Sequence, residues 1–141
     1  MPIERNPPLH LTINTDGAAR GNPGPAAIGV VIKDDSGKTL WRLGRPLGRA
    51  TNNVAEYEAL IAGLEKARDL GAATVTVHAD SELVIRQMGG TYKVKSPNMK
   101  PLHARAKALA DGFESCELRH VAREDNSEAD ALANEALDGG A

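Results

Sequence analysis

Polar and apolar residues alternate from Leu9 to Asp16, with Leu11, Ile13 and Thr15 on one side and Thr12, Asn14 and Asp16 on the other. A period of two is that of a strand with two different faces, here ending on a carboxylate at the edge where open α/β sheets bind ligands. Gly17, Gly21, Asn22, Pro23, Gly24 and Pro25 then turn the chain back. Ala26 to Lys33 (AAIGVVIK) is apolar enough for a central strand. Asp34-Asp35-Ser36-Gly37 predicts a hairpin turn, and Lys38 to Leu47, with Trp41, the returning strand. The opening is thus a three-stranded antiparallel meander, and Arg45, Pro46, Gly48, Arg49 and Thr51 link it to the first helix.

The period changes after Asn53. Val54 to Leu70 carries Tyr57, Leu60, Ile61, Leu64 and Ala67 as an apolar stripe, opposite Glu58, Glu65 and Asp69, and Gly71 closes the helix. At about 100° per residue, Glu56 falls at the edge of that stripe. Ala72 to Asp80 (AATVTVHAD) predicts another strand ending in aspartate. Strand, long helix and strand make a right-handed crossover, so this strand runs parallel to the first and Asp16 and Asp80 end neighbouring strands. A short helix from Ser81 to Met88, the loop GGTYKVKSPN, a helix from Asn98 to Gly112, a strand from Cys116 to Ala122 and a helix from Asp125 to Leu137 complete the chain. The last helix has Ala129, Leu132, Ala133, Ala136 and Leu137 on its stripe, with Asp130 at the margin. The expected fold is α/β: one five-stranded mixed sheet, three antiparallel strands then two parallel ones, flanked by helices.

At 141 residues, 41% hydrophobic and 26% charged, the chain is expected to be one domain over residues 9–138, preceded by a flexible tail over residues 1–8. No apolar run approaches the roughly 18 residues of a membrane span, so no membrane partner is expected, and nothing points to an obligate protein partner. A single cysteine, Cys116, excludes an internal disulfide; it fits the reducing cytoplasm and is expected to be a small buried hydrophobe. The net charge of −2 hides an asymmetry: Leu83 to Ala110 holds Arg86, Lys93, Lys95, Lys100, Arg105 and Lys107 and no acid. Such a segment can follow a phosphate backbone whatever the total charge.

Each acidic residue has a structural explanation when taken singly. Glu56 stands at a capping-box distance from Asn53, Asp130 at the same distance from Ser127, Asp80 could cap a helix, and Asp16 could stabilise its glycine turn. Together they point elsewhere. Two carboxylates 4 Å apart repel by about 4 kcal/mol at an effective dielectric near 20, so a cluster of four, unless mostly protonated, needs a cation. All-oxygen ligands suit Mg²⁺ or Mn²⁺, whereas His10, His78, His103 and His120 lack ligand spacing and one cysteine cannot build a zinc site. No serine nucleophile motif, Walker lysine or dinucleotide fingerprint competes. The residues alone thus indicate a metal-dependent phosphoryl-transfer site.

The blocks TDGAARGNPGPAAIG, TNNVAEYEAL, HADSELVI and AREDNSEADALAN, in this order and spacing, resemble type 1 ribonuclease H from about Leu9 to Leu137. The resemblance implies the ribonuclease H-like sheet and cleavage of the RNA strand of RNA–DNA hybrids with two Mg²⁺ or Mn²⁺ ions. It places the metal ligands and catalytic groups at Asp16, Glu56, Asp80 and Asp130. It implicates Gly21, Asn22, Thr51, Asn52, Asn53 and Ser81 in gripping the hybrid. Many members insert a basic helical protrusion between the second and third helices. Here only Gly89 to Asn98 fills the gap, so the chain resembles the compact form, with Lys93, Lys95 and Arg105 as a reduced substitute. Many also carry a mobile histidine before the last aspartate; here Arg123-Glu124-Asp125-Asn126 stands there, and Arg123 is placed to contact a phosphate. Compact relatives also extend the expectation to double-stranded RNA. A junction resolvase-like nuclease of the same fold and a non-catalytic hybrid-binding module remain as alternatives.

Overall fold

A computed structural model describes residues 8–139; apart from Pro8, the expected N-terminal tail lies outside the described residues. The chain forms β1 (His10–Ala19), β2 (Gly24–Lys33), β3 (Thr39–Ala50), α1 (Asn52–Asp69), β4 (Thr74–Ala79), α2 (Glu82–Met88) and α3 (Lys100–Asp111). It ends with β5 (Ser115–His120), a single 3-10 turn (Arg123–Asn126) and α4 (Ser127–Gly139). The strands form one sheet in the order β3-β2-β1-β4-β5. The first three pair antiparallel, β4 runs parallel to β1, and β5 runs parallel to β4. This is the expected mixed sheet. Among the described residues no helix is long and apolar enough to cross a membrane.

Several boundaries differ from the expectation, the largest where a partner strand or a local turn decides where an element stops. β1 does not end at Asp16: Gly17, Ala18 and Ala19 go on pairing with Ile28, Ala27 and Ala26. The strand ends at Thr15 only with respect to β4, where Thr15 faces Ala79 in the last parallel rung. β3 likewise continues through Arg45 and Arg49, residues expected to be a link, because β2 supplies a partner as far as Ala50. The last helix is preceded by a separate 3-10 turn instead of starting at Asp125.

α1 packs on β1 and β2 from one side, and α4 packs on β1, β2 and β3 from the other. Tyr57, Leu60, Ile61, Leu64 and Ala67 are buried as their spacing requires, against Leu11, Ile13, Ile28, Val30, Ile32, Val75 and Val77. Each large aliphatic side chain buried this way contributes roughly 1.5–3 kcal/mol. Cys116 is half-buried against this core, and burial pushes its thiol up to about 11.

Two glycines set how closely the helices approach the sheet. A Cβ on Gly17 would lie 2.3 Å from the Ala55 carbonyl carbon of α1, and one on Gly29 would lie 1.9 Å from the Ala129 carbonyl oxygen of α4. Backbone rests on backbone at both places, leaving no flexible side chain to yield. Gly29→Ala is therefore expected to cost about 3 kcal/mol or more, at or above the upper end for overpacking. Thermal melting checks this; a wild-type melting temperature would show that α4 does not press on β2 there.

Candidate active site

The site lies where the parallel pairing of β1 and β4 stops. Asp16 and Asp80 follow the last rung, Thr15 and Ala79, so two carboxylates emerge side by side from adjacent strands. Asp16 faces α4 through its register with Gly29, and is buried, 4% exposed. From the other side of the sheet, α1 contributes Glu56, whose Oε1 accepts the Gly17 N–H at 3.0 Å. Oxygens of Asp16, Glu56 and Asp80 all lie within 4.8 Å of one another.

None of the single-residue explanations survives for these three. Thr51 caps α1, its hydroxyl accepting from the Val54 N–H at 3.2 Å, so neither Asn53 nor Glu56 acts as a cap. Ser81 caps α2 through the Val84 N–H at 3.3 Å, which leaves the Asp80 carboxylate free of that duty. Asp16 stands within β1 and outside any turn.

Asp130 projects from the start of α4 and lines the same groove as the three, near enough for its charge to act on Asp16. Its Oδ1 also accepts from Asn134 Nδ2 at 3.2 Å and lies 3.4 Å from Arg123 Nη2. Asp16 is thus the hub: burial first, then the charges of Glu56 and Asp80, then the nearness of Asp130 hold its carboxyl well above the usual carboxylate range. Glu56 is also raised, chiefly by burial and then by Asp80, although the Gly17 N–H opposes the shift. A set of carboxylates that only cations or protons can reconcile, with oxygen donors alone, fits hard divalent ions.

The carboxylates form the floor of an open groove of about 600 Å³, also lined by Asn52, His120, Arg123 and Asn134. At its rim the turn and α1 are interlocked. The Asn52 Oδ1 accepts the Ala19 N–H at 3.0 Å, and the Asn22 Oδ1 accepts the Asn52 N–H at 3.1 Å. Both side-chain carbonyls are therefore committed to backbone, which leaves their amide N–H donors for a ligand. Gly21 supplies the positive φ of 94° that this turn requires. Asn53 follows Asn52 in the first turn of α1, and Thr51 and Ser81 adjoin the groove through Asn52 and Asp80. Lys93 and Lys95 do not line the groove; they are exposed on the loop between α2 and α3.

Sequence reasoning missed Asn126. It is 1% exposed, donates to the Thr15 carbonyl at 2.8 Å, and accepts from Asn14 Nδ2 at 3.0 Å. It pins the start of α4, and with it Asp130, to the backbone beside Asp16. Its only signal was an asparagine before a helix, which reads as an ordinary cap.

Known proteins share the sequence and the fold. Residues 14–136 match the family model described as reverse transcriptase-like. The chain is 48% identical over 123 residues to ribonuclease HI of Halobacterium salinarum, covering 87% of this chain and 62% of that protein, so it spans less than two thirds of that relative's length. The crystal structure of RNase H1 from Halobacterium salinarum NRC-1 superposes with a TM-score of 0.89 at 46% identity, covering 92% of this chain and 98% of that one. LC11-RNase H1, solved in complex with an RNA/DNA hybrid, superposes with a TM-score of 0.87 at 47% identity, again covering 92% of this chain and 98% of that one.

The crowding of the acids and the pinning of α4 can each be measured. Asp16→Asn removes the most crowded acid, so in EDTA near neutral pH it should melt several degrees above wild type, with saturating Mg²⁺ narrowing or reversing the gap. A variant that melts lower in EDTA would mean that the carboxylates are not in conflict. Asn126→Ala strands the buried Thr15 carbonyl and takes a partner from the half-buried Asn14 amide, and should cost roughly 1–3 kcal/mol; denaturant unfolding measures it, and a loss below about 0.5 kcal/mol would contradict the pinning role. With its sheet order, its acidic cluster and these relatives, the chain belongs to the type 1 ribonuclease H family, in the compact form without a basic protrusion.

Proposed function

We propose that the chain is a metal-dependent endoribonuclease that cleaves the RNA strand of RNA–DNA hybrids, with residues 9–138 as its catalytic domain. The observation that carries this reading is the buried Asp16–Glu56–Asp80 cluster on the floor of an open groove whose rim presents amide donors. The hybrid bound by LC11-RNase H1 supports the choice of substrate.

Asp16, Glu56, Asp80 and Asp130 are the residues that would hold two Mg²⁺ or Mn²⁺ ions, and such ions supply Lewis-acid activation of water and neutralise charge at a phosphodiester. The protein's own contribution is to place carboxylates, amides and backbone before the substrate arrives. Asn22 and Asn52, with their oxygens already engaged, offer N–H donors to ribose 2′-hydroxyls in a minor groove. Gly21, Thr51, Asn53 and Ser81 bring exposed backbone and short polar groups to the same side, where they position the backbone of the duplex. Arg123, 74% exposed and only loosely paired with Asp130, is within one side chain of any phosphate seated over the acids. Lys93 and Lys95 grip the duplex outside the groove. Because the 2′-hydroxyl is the feature read, double-stranded RNA is a second substrate of the same groove. The compartment of action is the cytoplasm, whose reducing conditions suit a chain that uses a single cysteine and no disulfide.

The test is a gel with labelled RNA–DNA, RNA–RNA and DNA–DNA duplexes in Mg²⁺, Mn²⁺ or EDTA. The RNA strand of the hybrid should be cut within runs of ribonucleotides, with the DNA strand intact and no cleavage in EDTA. Equal cutting of all-DNA duplex would favour a resolvase-like nuclease, and tight binding without cleavage a non-catalytic module. Asn22→Ala should narrow the preference for RNA-containing duplexes over DNA; an unchanged preference would remove Asn22 from the reading of 2′-hydroxyls.

A further inference from the structure

The basic segment between α2 and α3 is less free than its composition implies. Arg86 is paired with Glu82, Arg105 with Glu65 and Lys107 with Asp111, whereas Lys93, Lys95 and Lys100 make no ion pair among the described residues. Lys93 and Lys95 are exposed and flank the half-buried Val94. The two lysines are thus exposed on either side of a residue that the loop half-buries, and both ammonium groups are open to solvent.

A buried polar residue lies beneath them. Gln87, in the last turn of α2, is 4% exposed, and every polar group of its side chain is engaged. Its Oε1 accepts the Tyr57 hydroxyl of α1 at 2.6 Å, and its Nε2 donates to the Lys93 carbonyl at 3.5 Å. Its own carbonyl accepts from Gly90 N at 3.2 Å and from His103 Nε2 of α3 at 3.2 Å. Tyr57 is fully buried, and burial raises its phenol to about 12, so the hydroxyl remains a donor at any working pH. The loop is fastened beside this point as well. Thr91 and Tyr92 donate to the Arg86 carbonyl at 2.9 and 3.2 Å, and the Arg86 guanidinium lies 5.3 Å from the Tyr92 ring centre.

We infer that Gln87 is a positioning residue for substrate binding: the hydrogen bonds Tyr57–Gln87, buried, and Gln87–Lys93, part-buried and long, tie the loop to α1 and keep Lys93 and Lys95 at the surface for the phosphates of a bound duplex. The inference rests on the reading of these lysines as a grip. An apolar residue would satisfy the packing of α2 as well. The amide adds a link between the core and one loop carbonyl, that of Lys93 itself. Without that link the lysines remain but must be ordered on binding, and ordering costs affinity.

The test compares Gln87→Met, Lys93→Ala/Lys95→Ala and the triple variant, by hybrid cleavage kinetics and by hybrid binding across a salt series. Gln87→Met should raise KM several-fold with the loss falling on KM rather than kcat, and should flatten the salt dependence by about one to two phosphate contacts. The triple variant should bind no worse than the double lysine variant, because Gln87 acts only through those lysines. Tyr57→Phe, which removes one hydroxyl and otherwise keeps the shape of the core, should shift KM in the same direction; it decides the matter if Gln87→Met does not fold. A wild-type KM and salt slope in the folded Gln87 or Tyr57 variants, or additive losses in the triple variant, would overturn the inference. Unchanged binding in the double lysine variant would instead refute the grip itself.

Discussion

The structure depends on carboxylates held closer together than their charges allow. Two parallel strands that stop at the same rung set Asp16 beside Asp80, and the loss of a β4 partner beyond Thr15 lets Glu56 take the Gly17 N–H. Three acids within 4.8 Å are then unavoidable. At separations near 4 Å each ionised pair costs about 4 kcal/mol at an effective dielectric of 20. That is a large part of the roughly 5–15 kcal/mol typical of a whole domain. The fold withstands this repulsion because the cluster is built on the central strand and the long buried helix, which pack most of the core. The same preorganisation makes the site ready for a hard cation.

Much of what holds the cluster lies away from it. Gly17 lets the first turn of α1 rest on β1, and Gly29 lets α4 rest on β2, so the two helices that carry Glu56 and Asp130 are located by backbone contact. Asn126 adds a polar fastening of α4 to the Thr15 carbonyl. The rim is built on the same plan, with Asn22 and Asn52 each using an oxygen to join the turn to the helix. Fixed geometry inside and free donors outside are what a site for an anionic backbone requires.

The strands and long helices were legible in the sequence because period two and period 3.6 survive in residues such as Leu11 and Ile13, or Tyr57, Leu60 and Leu64. The placement of Asp16 beside Asp80 was legible for the same reason, since crossover handedness sets their strands side by side. Boundaries were less so. β1 runs on to Ala19 and β3 to Ala50 because β2 offers partners there, and pairing across strands leaves no local mark. Asn126 was illegible because its partners, Asn14 and Thr15, lie more than 100 residues away in sequence. Composition overstated the basic segment: Arg86, Arg105 and Lys107 serve ion pairs on helix surfaces, where such pairs contribute little.

Carboxylates crowded in this way, with oxygen donors alone, should hold divalent cations. Calorimetric titration of Mn²⁺ into the metal-free protein tests it directly, with Asp80→Asn as the comparison and Glu117→Gln, an acid on β5 outside the groove, as the control. Wild type and the Glu117 variant should bind saturably, with a marked loss in Asp80→Asn. Indistinguishable isotherms for wild type and Asp80→Asn, or no saturable binding by wild type, would contradict it.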